Sequence, residues 1–100
     1  MEVVDHEPRC WFLLRDRGAL FLDASCEHRA VGYTVLIQLD ADEASQYANG
    51  GRAYLNQLAQ AIHESAPGAI GSRSPYKDRN IMSRAHDVDQ AFVIWRANNA

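Results

Sequence analysis

The segment Asp40–Glu64, DADEASQYANGGRAYLNQLAQAIHE, is where the chain changes from strand-like to helical patterning. Asp40 followed three residues later by Glu43 has the form of a capping box, in which two side chains satisfy each other's backbone N–H groups. Carboxylates at this end are further favoured by the positive pole of the helix dipole. Stepping about 100° per residue from Gly51 places Ala44, Tyr47, Ala48, Tyr54, Leu55, Leu58 and Ile62 within about 60° of it, while Ser45, Gln46, Asn49, Asn56, Gln57, Gln60, His63 and Glu64 fall opposite. That spacing predicts one long amphipathic helix over 41–64, stopped by Pro67 and Gly68. Each interior glycine costs about 1 kcal/mol relative to alanine. The stripe nevertheless keeps its phase across Gly50 and Gly51, which favours one helix lying close to a sheet over a split into two.

Working outward, Cys10–Arg15 and Ala19–Ser25 are short runs of aliphatic and aromatic residues joined by Asp16-Arg17-Gly18, the pattern of a β-hairpin. Val31–Leu39 is β-branched and aromatic, and follows the polar turn Cys26-Glu27-His28-Arg29. On the far side of the helix, Ala66–Pro75 reads as a linker within the domain. Ala91–Ala97, AFVIWRA, follows the polar His86-Asp87-Val88-Asp89 and predicts a fourth strand, with helix as the alternative. The expected fold class is therefore α+β: one domain over 1–100, in the order β-β-β-α-β. A four-stranded, mainly antiparallel sheet would carry the 41–64 helix on one face and a short extra helix near 75–84.

The bulk properties agree with a globular chain: 100 residues, 47% hydrophobic, 23% charged and a net charge of -3. The longest apolar runs, Trp11–Leu14 and Val35–Ile37, are far below the roughly 20 residues that span a bilayer, so no membrane partner is expected. The acidic start Met1–Glu7 does not resemble a secretory signal, which points to a cytoplasmic protein. Two cysteines make no disulfide framework and are expected as thiols.

Dividing each strand by its alternation puts large apolar side chains on both faces of the sheet. One helix covers one face only, so a second cover is needed. Trp11, Leu13, Phe21 and Leu36 are the candidate interface, covered either by a second copy of the chain or by the chain's own ends and its 66–90 connection.

Charge is gathered at Ser72–Arg84, which holds four of the ten basic residues and one acid. With Ser74 as N-cap and Pro75 at the first helical position, Ser72, Arg73, Ser74, Lys77 and Arg79 would surround a helix amino terminus and cradle a phosphate or carboxylate. The competing expectation, which the acidic composition favours, is that these bases pair with the chain's own Asp40, Asp42, Glu43, Asp87 or Asp89. Nucleic acid is disfavoured by the net negative charge. Cys26 and His28 supply only half of a zinc ligand set, and Cys26 with His28, His63 or His86 lacks an identifiable oxyanion site. No metal, cofactor or catalytic residue is assigned. Asp87 and Asp89 have the spacing of a solvated turn. The functional expectation is a small binding or interaction domain, self-associating through its second sheet face. A module for a small anion, nucleotide or acidic peptide at 72–79 is the alternative, and a Cys-dependent enzyme a further one.

Overall fold

A computed structural model describes residues 1–28 and 30–99, apart from the side chain of Met82. It has four strands, β1 (Glu2–Glu7), β2 (Trp11–Asp16), β3 (Ala19–His28) and β4 (Val31–Gln38), then three helices, α1 (Ala41–Gly50), α2 (Arg52–Glu64) and α3 (Ala85–Asn99). The strands form one antiparallel sheet in the order β1-β2-β3-β4. The α+β class, the four-stranded antiparallel sheet and the helical layer beginning at Ala41 are as the sequence predicts. The polar stretch Cys26–His28 continues β3 rather than turning, and Arg29, the end of that expected turn, lies outside the described residues.

The fourth strand comes from the other end of the chain. Glu2–Glu7 pairs with β2, with an irregularity between Val3 and Asp5 that leaves Val4 outside the register. A short, charged, bulged strand is a common sheet edge, because charge and irregularity discourage further pairing. Ala91–Ala97, expected as a strand, is the second half of α3. The physical reason is the stripe Val88, Ala91, Phe92 and Trp95, at i, i+3, i+4 and i+7, which forms a single helix face. Val88 and Ala91 are buried on it.

The long helix is broken at Gly51, whose φ of 61° ends α1 and begins α2. Glycine adopts this left-handed backbone without the steric cost a side chain brings. The capping box forms as expected: the Glu43 N–H donates to Asp40 Oδ1 at 2.8 Å, and the Asp40 N–H donates to Glu43 Oε1 at 3.0 Å. The β2–β3 hairpin turns on Arg17 and Gly18, with φ of 53° and 83°. Two consecutive residues at positive φ match the twist of the flanking strands.

That two-residue loop sets Asp16 opposite Ala19, Leu14 opposite Phe21 and Leu13 opposite Leu22. Side chains on directly paired residues share a face. Trp11, Leu13, Leu22, Ala24, Val35 and Ile37 therefore pack beneath α2 against Leu55, Leu58, Ala59 and Ile62. Leu14, Phe21 and Leu36 face the other way and are covered by Val88 and Ala91 of α3, with Ile81 and Phe92 beside them. This corrects the expected interface: Trp11 and Leu13 belong to one face, Phe21 and Leu36 to the other. All four are buried by the chain's own helices. The apolar area that called for a second copy is covered by α3. No helix among the described residues is long and apolar enough to cross a membrane.

Candidate functional site

Asp23 follows Phe21 on the α3 side of β3, opposite Phe12 on one neighbour and Leu36 on the other. A carboxylate at the centre of an apolar face is costly, because burial strips its hydration. Asp23 is 7% exposed. Among the described residues no side-chain hydrogen bond or ion pair is made to it, and because no fully buried side-chain oxygen among them lacks a partner, its carboxylate oxygens still reach the solvent of the adjoining cleft. Burial, and secondly the charge of Asp89, push its carboxyl up to about 6.

Three local features bring a cleft to this carboxyl. First, the open edge of β4 is tied to the connection before α3: Asn80 Oδ1 accepts from the Leu36 N–H at 3.1 Å, and the Ile81 N–H donates to the Leu36 carbonyl at 2.7 Å. Second, Arg84 anchors the start of α3, donating to Asp87 Oδ2 at 2.7 Å and pairing with Asp16 at the β2–β3 hairpin. Third, the stripe of α3 docks on the sheet through Val88, Ala91 and Phe92. Phe92 meets Phe12 at 4.6 Å between ring centroids, and Trp95 packs edge-on against Phe12 at 5.3 Å.

Between these elements lies a cleft of about 360 Å³. Leu36, Ile81, Val88 and Phe92 form its apolar walls, and Asp23, Thr34, Asn80 and Asp89 are its polar groups. Asp23 and Asp89 thus belong to one recess, one from the sheet and one from the helix. Apolar walls with a few converging polar groups are the usual make-up of small-ligand sites. A carboxyl whose proton affinity is raised by burial and a like charge is a further mark of such sites.

The sequence-predicted residues are placed otherwise. No helix begins at Pro75; the short helix expected near 75–84 is replaced by two 3-10 turns, Lys77–Arg79 and Met82–Arg84. Ser74 Oγ accepts from the Tyr76 N–H at 3.1 Å and shares a hydrogen bond with Ser65 Oγ at 2.6 Å, while Ser72 Oγ accepts from the Ser74 N–H at 3.1 Å. The two serines therefore close a turn on themselves. Arg79 grips Glu43 with both terminal nitrogens, one at 3.0 Å, and donates to the Gln38 carbonyl at 2.9 Å. That pairing raises the proton affinity of its guanidinium. Arg73 and Lys77 are exposed. Of the four bases in Ser72–Arg84, Arg79 and Arg84 are thus matched by the chain's own acids, Glu43, Asp87 and Asp16.

The two thiols line a second recess of about 550 Å³ together with Glu7, Glu27 and His63. Cys26 is buried, and that burial pushes its thiol above the ordinary value. A nucleophilic cysteine needs the opposite, a stabilised thiolate. Among the described residues, no group of three or more His, Cys, Asp or Glu side chains is disposed to hold a metal ion. No family model, curated protein or solved structure matches the chain.

Proposed function

We propose that the chain is a small binding domain whose ligand site is the cleft between β3, β4 and α3. The observation that carries this reading is that Asp23, a largely buried residue of an apolar sheet face, opens its unpartnered carboxyl into a recess with apolar walls. Such a group costs stability wherever nothing compensates it, so its natural complement is a bound ligand. The cleft is at the small end of the about 300–1,000 Å³ range of ligand pockets, which suits a small molecule.

The test is a backbone amide spectrum recorded with a set of small aromatic fragments. The expected result is that the signals of Thr34, Leu36, Asn80, Val88 and Phe92 move together and saturate, and that Val88→Trp, which fills the recess, abolishes the response. Fragments that leave those signals in place, at concentrations that perturb other regions, would remove the proposal.

A further inference from the structure

The chemistry of the cleft narrows what it takes. Asp23 is more than nine-tenths buried. Asp89, from the facing helix, is close enough for its charge to act on Asp23. No basic side chain answers either of them among the described residues. Of the bases in the connection before α3, Arg79 is committed to Glu43 and Arg84 to Asp16 and Asp87, and His86 in the first turn of α3 hydrogen-bonds to Gln90. An anion entering this recess would meet two like charges, one of them on a largely buried residue, and be repelled by both. A neutral ligand would leave the mutual repulsion of the two acids unrelieved. A positively charged nitrogen relieves both, while Leu36, Val88 and Phe92 offer apolar area to the rest of the molecule. With no third acidic, thiol or imidazole ligand disposed around the pair, an organic cation fits this set better than a bare metal ion, which takes several such ligands.

We infer that the cleft recognises an organic cation, an ammonium or guanidinium group carried on an apolar body, with Asp23 and Asp89 as its two charge partners. This inference rests on the cleft being a ligand site and adds the charge of the ligand. The polar contact is made at depth by Asp23 and at the mouth by the exposed Asp89, so the charged end enters first and the apolar body lies along Val88 and Phe92. The titratable side chains facing the cleft are Asp23 from β3 and Asp89 from α3; Tyr33, though in the cleft wall, packs its side chain on the α2 face, where its phenol oxygen accepts from the Gly68 N–H at 3.1 Å.

The experiment compares four probes by amide-shift titration at neutral to slightly alkaline pH: phenethylammonium, 2-phenylethanol, 3-phenylpropionate and Nα-acetyl-lysinamide. Phenethylammonium is expected to bind at least about tenfold more tightly than the alcohol, and the carboxylate not at all, since a single compensated charge in a desolvated site is worth at least that factor. Asp23→Asn is expected to remove the preference for the cation while leaving the weak binding of the alcohol, and Asp89→Asn to reduce it in part. Asp23→Asn is a suitable variant because it relieves a buried charge, and the alcohol's retained binding reports that the cleft is intact. Tighter binding of acetyl-lysinamide than of phenethylammonium would support the same chemistry with a protein's basic side chain as its source. Equal binding of the ammonium and the alcohol overturns the charge assignment while the cleft stands as a binding site. Failure of all four probes to move the cleft signals overturns both.

Discussion

Glu43 and Asp23 are the two buried acids among the described residues, at 8% and 7% exposure, and they lie in opposite circumstances. Glu43 belongs to the α1 side of the fold, where it completes a capping box and receives a two-pronged Arg79. Asp23 belongs to the α3 side, where its neighbours are Phe12, Phe21 and Leu36 and the nearest acting charge is another acid. The first is a buried charge that the structure uses internally. The second is a buried charge for which the chain supplies nothing, and the difference separates a structural acid from one held ready for a ligand.

The largest effect is expected from breaking the structural pair. Arg79→Ala leaves Glu43 buried without its counter-charge and frees the Gln38 carbonyl; the loss should be about 2 kcal/mol, less than for a fully buried pair because Arg79 is partly exposed. Urea unfolding measures it. A loss within a few tenths of a kcal/mol would place Glu43 in the same class as a surface acid and dissolve the comparison.

The opposite sign is expected for Asp23. Its folded-state value, about 6, lies above the 3.8 of an ordinary aspartate. The folded state therefore holds the proton more tightly, so this group's contribution is most favourable at low pH and is lost as the pH rises from about 4 to about 6. At about 1.36 kcal/mol per pH unit, the difference amounts to about 3 kcal/mol at most. Asp23→Asn should accordingly stabilise the protein at about pH 7.5, by about 1–2 kcal/mol after the amide's own burial cost, and should gain little at about pH 4. Paired unfolding curves at the two pH values check this; equal stability of variant and wild type at both would show that Asp23 carries no burial cost.

Asp89→Asn should have the smallest effect. Asp89 is exposed, and its charge is the secondary cause of the raised Asp23 value. Its removal should lower the Asp23 midpoint without returning it to the ordinary value and change stability by only a few tenths of a kcal/mol. A complete return would make Asp89, rather than burial, the principal cause.

The legibility of these two regions differs for a physical reason. The capping box at Asp40 and Glu43 is a rule of four consecutive residues, and the Arg17-Gly18 turn a rule of two; both form as read. The second layer depends on relations across the chain. Ala91–Ala97 is apolar enough to pass for a strand, and only a window reaching back to Val88 shows the helical spacing of Val88, Ala91, Phe92 and Trp95. Asp87 and Asp89, read as a turn, are helical: Asp87 lies in the first turn of α3 and Asp89 just beyond it. β1 is short and half acidic, so its two valines are a faint signal, and its place is set by pairing with β2. The faces were legible in principle: a two-residue loop puts Leu14 against Phe21 and Leu13 against Leu22, which separates Trp11 and Leu13 from Phe21 and Leu36.

Asp23 was visible in the same way, two residues from Phe21 on one strand face, but alternation alone does not say that this face is buried. The cover is α3, and α3 is the element whose spacing is hardest to read. The basic cluster carries the converse lesson. Its charge was conspicuous in the sequence, yet Arg79 and Arg84 complete internal pairs, and the unmatched charge of the cleft is acidic.

The most direct measurement follows the Asp23 side-chain carboxyl carbon by NMR across the acidic pH range, with and without phenethylammonium. A midpoint near 6 is expected in the free protein, with a clear fall when the cation is present, because a bound positive charge favours the ionised acid. A midpoint near the ordinary aspartate value, or a raised one that the cation leaves unmoved, would contradict it.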